Sequence, residues 1–195
     1  MENNSNCAIL IITSLFFILV LTSCRENAQN LVQTVDEWYA ETDPHGSTYT
    51  FPNDELVNNG VVSVHFNIAE REEVDSWYPF AMIICNPGYT LEGYSAVSVV
   101  YRSDIPLFVE LPQTETRENG DEFTLFYRYR LPASEEWNSQ RVSFSHFIQP
   151  TWAPLRSLMV PLNTQNIDAI HFLPDLDYGH GGSARVSIRH LELHD

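Results

Sequence analysis

Five side chains able to grip a hydroxyl or a charged group recur at alternate positions of short apolar segments: Arg102, Glu110, Arg128, Arg130 and His171. Val97, Val99 and Tyr101 alternate with Ser98, Val100 and Arg102, and Leu107, Val109 and Leu111 alternate with Phe108 and Glu110. Phe123, Leu125, Tyr127, Tyr129 and Leu131 alternate with Thr124, Phe126, Arg128 and Arg130, while Ile170 and Phe172 flank His171. Successive side chains of a strand point to opposite faces, so the mostly apolar side of each segment belongs to a core. The other side collects the charged groups, and if these strands share a sheet, they share one outer face. Trp152 lies in Gln149-Pro150-Thr151-Trp152-Ala153-Pro154. A loop between prolines is a poor place to bury an indole, so an exposed ring is expected. A flat ring beside Arg, Glu, Gln and His donors and acceptors suits a sugar, whose C–H faces stack and whose hydroxyls need polar partners. The plainer reading puts most of the aromatic residues in the core and gives a lone His a structural task.

Sequences that mark catalysis are absent. There is no Gly-x-Ser-x-Gly, no His-Glu-x-x-His, no Cys-x-x-Cys and no Gly-rich phosphate loop. Glu72-Glu73 and Glu135-Glu136 are paired carboxylates, and both pairs read as solvated charges in loops between strands. The expected protein is not an enzyme. Asp175-Leu176-Asp177-Tyr178-Gly179-His180-Gly181-Gly182 could coordinate Ca²⁺ through alternate acids, but it lacks the terminal Glu of an EF-hand, and a plain turn accounts for it as well.

Charge narrows the partners. The 195 residues carry 26 acids against 10 bases, a net charge of −16, and every base is Arg. Nucleic acid and anionic membrane surfaces are bound through Lys and Arg, so this balance argues against both. From Ala8 to Leu21 the chain has no charged residue. About 14 apolar and small residues are too few to span a bilayer, which takes roughly 20, but they suit the core of a secretory signal. Leu21-Thr22-Ser23-Cys24 then resembles the lipobox of bacterial lipoproteins, in which the chain is cut before the Cys and the Cys is lipidated. Met1-Glu2-Asn3-Asn4-Ser5-Asn6 lacks the usual Lys or Arg, which leaves an uncleaved signal or an N-terminal anchor helix as alternatives. The expected organisation is a signal peptide over 1–23, a tether over 24–35 and one domain over 36–195, lipid-anchored in a bacterial cell envelope. The leaflet is not specified. Cys7 falls in the signal and Cys24 carries lipid, so Cys85 is left alone as a small buried hydrophobe of Phe80-Ala81-Met82-Ile83-Ile84-Cys85.

Beyond position 35 the texture is that of an all-β domain. Strands are expected over 61–68, 79–85, 96–102, 107–111, 123–131, 141–147, 167–173 and 184–193, broken by Gly, Pro, Asn and Asp. Short strands at such spacing specify a sandwich or closed barrel. One short amphipathic helix could be made from Leu31, Val35, Trp38 and Tyr39.

Several stretches resemble one family. Trp38-Tyr39 with Asp43, Gly46, Ser47 and Thr48 is similar to the opening of galactose-binding-like jelly rolls, including the family-eleven carbohydrate-binding modules. So is the stretch from Leu91-Glu92-Gly93-Tyr94 through Val99-Val100-Tyr101-Arg102-Ser103-Asp104. Leu131-Pro132-Ala133, Trp137, Val142-Ser143-Phe144-Ser145-His146-Phe147 and Ile167-Asp168-Ala169-Ile170-His171-Phe172 follow in the family's order. The likeness runs over roughly 36–194, and the intermediate-associated-protein-30 domain shares it. The resemblance implies a two-sheet antiparallel jelly-roll β-sandwich that binds β-glucan in a concave cleft without cleaving it, often with a structural Ca²⁺. It further implies that Asp168 and His171 line the cleft and that the loop after Phe147 supplies ring or polar contacts, with Gln149 and Trp152 the nearest candidates. Ile188-Arg189-His190 stands where the family's last strand usually reads Ile-Asp-Asn, so the metal assignment stays open. The ligand-binding set expected is therefore Arg102, Glu110, Arg128, Gln149, Trp152, Asp168 and His171, with a polysaccharide or oligosaccharide as partner. The same jelly roll used for protein–protein contact in an envelope complex is the alternative.

Overall fold

The computed structural model describes residues 29–33, 37–70, 79–153, 160–176 and 181–195. The signal and lipobox with Cys7 and Cys24, most of the tether, Val35, Glu72-Glu73, Trp77 and the Asp177–His180 part of the acidic loop lie outside them.

Eleven strands appear among the described residues: β1 (Trp38–Thr42), β2 (Thr48–Thr50), β3 (Val57–Asn58), β4 (Val61–Ile68), β5 (Ala81–Cys85), β6 (Ala96–Ser103), β7 (Leu107–Thr116), β8 (Glu122–Leu131), β9 (Ser134–Ser143), β10 (Ile170–Pro174) and β11 (Gly182–His194). They form two antiparallel sheets. Sheet A has the order β1-β5-β10-β7-β8, and sheet B the order β2-β4-β11-β6-β9, with β3 on β4. The described chain is thus all-β, as its alternation requires.

The core lies between the two sheets. Ile83, Val109, Leu111, Leu131 and Phe172 come from sheet A, and Val62, Val64, Val99, Tyr101, Val186 and Ile188 from sheet B, all fully buried. Cys85 is buried among them, and burial followed by the nearby Glu37 charge pushes its thiol up, which fits an inert hydrophobe. The end of the expected tether joins this core. Leu31 and Val32 are buried in a 3-10 turn over Leu31–Gln33, and the Trp38 indole donates to the Leu31 carbonyl at 2.9 Å. Trp38 and Tyr39 lie in β1 rather than in a helix, because that segment completes the edge of sheet A by pairing with β5.

Two other expectations shift. Glu135 and Glu136 belong to β9, not to a loop; as the edge strand of sheet B it exposes much of its length, so a polar sequence suits it. The segment expected as a strand over 141–147 instead ends β9 at Ser143 and turns through a 3-10 helix, Phe144–His146, capped by the Ser143 hydroxyl accepting from the Ser145 N–H.

Asp43 ties the connections together. Its carboxylate accepts from the His45 N–H at 2.7 Å and from the Phe80 N–H at 2.9 Å, while the Ser47 hydroxyl accepts from the Ala69 N–H at 3.0 Å. These bonds fasten the β1–β2 turn to the start of β5 and the end of β4. Gly181 makes the matching approach before β11: a Cβ there would sit 2.6 Å from the Glu70 nitrogen, so only glycine fits without moving backbone. Burial would raise the Asp43 pKa, but the Ser47 hydroxyl and the N–H groups of Phe80, His45 and Ser47 together hold it below the ordinary value. A depressed carboxylate stabilises the fold above its unfolded pKa, about 4, and loses that contribution as pH falls toward the folded value. Asp43→Asn should therefore lower stability at pH 7 by about 1–3 kcal/mol and flatten the loss of stability below about pH 4. Urea unfolding from pH 7 to pH 3 checks this; equal slopes in variant and parent would contradict it.

Candidate ligand-binding face

Strand register places one residue from each strand of sheet A in a single outward row. Tyr39 pairs with Ile84, Ile84 with His171, His171 with Glu110, and Glu110 with Arg128. The loop after the Phe144–His146 turn extends the row, since Ile148 makes an isolated antiparallel bridge to Arg128. The row crosses four inter-strand steps from Tyr39 to Arg128, about 19 Å at roughly 4.8 Å per step. A face of that width suits a chain of rings rather than one.

Charge is organised around Glu110. It is only 2% exposed, and such a carboxylate needs partners. Arg128 Nε donates to its Oε2 at 2.5 Å, and His171 Nδ1 lies 3.1 Å from its Oε1. An ionised carboxylate only accepts, so the His171 proton must sit on Nδ1. Nε2 is then left to accept in the neutral ring or to donate in the charged one. Arg128 is in turn flanked by rings: its guanidinium carbon lies 5.3 Å from the Phe108 centroid and 5.4 Å from that of Trp152. Phe126 supports Trp152 from 6.0 Å, and the indole remains 49% exposed, as the flanking prolines predict.

At the other end, Tyr39 is 47% exposed. Its phenol pKa is raised, first by desolvation and then by the charges of Glu41 and Asp168, which brings exposed Asp168 to this end of the face. Sequence reasoning did not single out Tyr39 as a site residue. The alternation of Trp38-Tyr39-Ala40-Glu41, with Trp38 buried and Tyr39 exposed, was the signal that could have found it.

The expected residues divide. Glu110, Arg128 and His171 meet in one cluster, Trp152 packs on it, and exposed Asp168 acts on Tyr39 through its charge. Gln149 is near but turned away: its Nε2 donates to the Tyr127 hydroxyl at 3.1 Å, and that hydroxyl donates to the Val160 carbonyl. Tyr127 faces inward, so Gln149 fastens the loop that carries Trp152. Arg102 is on the wrong sheet for this site. It lies in β6 of sheet B, where its guanidinium carbon is 5.0 Å from the Trp137 centroid. Alternation gave its side of a strand correctly but carried no information about which sheet the strand joins.

Among the described residues there is no group of three or more His, Cys, Asp or Glu arranged to hold an ion. Asp175 is taken up by Arg130 Nε at 2.5 Å, and Arg189, where the family carries Asp, puts its guanidinium 4.6 Å from the Trp137 centroid.

No family model and no curated protein matches the chain. Solved structures do. The chain is similar to the family 11 carbohydrate-binding module of the cellulosomal cellulase Lic26A-Cel5E of Clostridium thermocellum, at 14% identity over 87% of this chain and 90% of that one, with a TM-score of 0.54. It is similar to a Clostridium thermocellum family 11 module solved with a β-1,3-1,4-mixed-linked tetrasaccharide, at 15% identity over 81% and 88%, with a TM-score of 0.53. At these identities the likeness is one of fold, and the chain has the two-sheet antiparallel jelly roll of those modules.

Removing Glu110 should be costly. Glu110→Ala leaves Arg128, itself 15% exposed at the side chain, without its carboxylate. The expected loss is about 3 kcal/mol, the low end for breaking a buried pair because some water reaches Arg128. Glu110→Gln keeps shape and one acceptor and should lose less. Urea unfolding at pH 7 tests this, and a loss below about 1 kcal/mol for the alanine variant would mean that the cluster is not buried as described.

Proposed function

We propose that the outer face of sheet A binds a polysaccharide chain without cleaving it, with a β-glucan the first ligand to test. The row from Tyr39 through His171 and Glu110 to Arg128, closed by Trp152, is the observation that carries this reading. Its two exposed rings stand at opposite ends, and the polar atoms between them are fixed by one another rather than by solvent. A ligand hydroxyl meeting His171 Nε2 or the outer guanidinium nitrogens of Arg128 would find groups already oriented, which lowers the ordering cost of binding. The fold shared with the Clostridium thermocellum modules supports the reading, one of those modules having been solved with a tetrasaccharide.

The proposal includes lipid attachment at Cys24. It rests on the uncharged run from Ala8 to Leu21 and on Leu21-Thr22-Ser23-Cys24. A chain so attached would hold its ligand at the surface of a bacterial envelope.

A protein ligand is the second reading, favoured by Ile148. This aliphatic side chain is 71% exposed on the loop that also carries Trp152. An exposed aliphatic side chain on the same loop as an indole suits a protein contact better than a sugar.

Calorimetry separates the two. Trp152→Ala and Tyr39→Ala should each weaken binding of a soluble mixed-linked β-glucan about tenfold or more, a loss of at least ~1.4 kcal/mol. The thermal midpoint should move little compared with Glu110→Ala, since about half of each residue is in water. No heat from the parent protein with any β-glucan, together with recovery of an envelope protein that Ile148→Ser no longer binds, would sink the glycan reading.

A further inference from the structure

We infer that the outer face of sheet B is a membrane-facing surface for anionic lipid headgroups, turning the sheet A face away from the bilayer. The inference rests on the proposed lipidation of Cys24.

Two observations converge on β11. The first is where the N-terminal chain meets the domain. Asn30 Oδ1 accepts from the Leu191 N–H at 3.1 Å, and Asn30 Nδ2 donates to the Arg189 carbonyl at 3.4 Å. The β4 ladder on β11 ends at Ile188, and the β6 ladder shifts register between Ile188 and His190, so Asn30 occupies backbone groups that neither strand takes. Five residues lie between Cys24 and Asn30, which leaves at most about 22 Å of chain. A lipid on Cys24 would hold this edge of β11 within that distance of the headgroups.

The second is the chemistry beside that edge. Arg102 and Arg189 both lie on the Trp137 ring, at 5.0 and 4.6 Å from its centroid. Arg141, opposite Ser98 on β6, is exposed on the same face. The acid among them, Glu192, is held by His190 Nε2 at 2.9 Å and His194 Nδ1 at 3.5 Å. Arg185 is paired with Asp104 at 2.9 Å, and Glu135 and Glu136 precede Trp137 on β9, whereas Arg102, Arg141 and Arg189 make no ion pair among the described residues. Net charge misses this local surplus. Charges more than about 8–10 Å apart through solvent are largely screened at physiological ionic strength, so the acids of the far sheet count little at this face. An indole between arginines also matches a headgroup region, where amphipathic rings and guanidinium groups collect. Arg102 thus belongs to a surface with a different task from Glu110 and Arg128.

The test uses the mature lipidated protein, from Cys24 onward, in phosphatidylcholine vesicles with and without phosphatidylglycerol. A fluorophore goes on Ser139→Cys, on the outer side of sheet B, or on Thr124→Cys, on the outer side of sheet A; buried Cys85 takes none. A nitroxide on the lipid headgroup quenches whichever label faces the membrane. With phosphatidylglycerol present, the Ser139 label should be quenched and the Thr124 label spared. An arginine at an anionic surface is worth about fivefold, so R102Q with R189Q should reduce the preference roughly thirtyfold and leave the two labels quenched alike. Equal quenching in the parent, or a preference that survives the double substitution or the removal of phosphatidylglycerol, overturns the inference while lipid attachment stands. A mature chain that does not stay with vesicles of either composition overturns both.

Discussion

A carboxylate in the middle of a five-stranded sheet has to be answered by neighbours, because water reaches only 2% of it. Glu110 is answered from both sides, by Arg128 on β8 and His171 on β10, and the three are directly opposed in register. Much of the candidate site follows from that constraint. It fixes the His171 tautomer, sets the Arg128 guanidinium between Phe108 and Trp152, and pins the height of three strands relative to one another. A one-residue slip of any of these strands would send its member of the cluster inward. The ion cluster thus specifies the sheet as well as presenting a surface, and it adds little to stability beyond what a well-packed apolar trio could supply.

The two outer faces of the sandwich differ in what they expose. Sheet A carries exposed rings at the ends of a polar row, while sheet B carries the Arg102–Trp137–Arg189 stack and the point at which the N-terminal chain joins β11. The core between them is aliphatic and aromatic, with Asp43 and Gly181 fastening the turns on its rim. Binding groups on strands of such a core move little, which suits recognition of a ligand by preset donors. Trp152 is the exception, since it sits on a loop. The Ile148 bridge and the Gln149–Tyr127 bond hold that loop against β8.

Much of this was readable before any coordinates. The strict alternation of Phe123 to Leu131 determined both β8 and the outward position of Arg128, because burial of one face leaves no other solution. Glu110 and His171 were legible for the same reason, and Trp152 from its prolines. Pairing was not legible: Arg102 has the same alternation as Glu110, yet β6 hydrogen-bonds to β9 and β11 in the other sheet. Polar edge strands were hidden as well. Ser134–Ser143 lacks an apolar face over most of its length, and Trp38–Thr42 is short enough that its rings fit a helical spacing equally well. Gln149 lies on the loop that carries Trp152, but its inward turn toward Tyr127 depends on a tertiary contact that local sequence does not encode.

The central claim is that a glycan lies across the strands of sheet A. The most direct measurement is an amide NMR titration of the protein with a mixed-linked β-glucan oligosaccharide. Shifts confined to Tyr39, Ile84, His171, Glu110 and Arg128, with the Trp152 indole resonance moving in step, are the predicted result. Shifts gathered on β6, β9 and β11 instead, or none at saturating oligosaccharide, would contradict it.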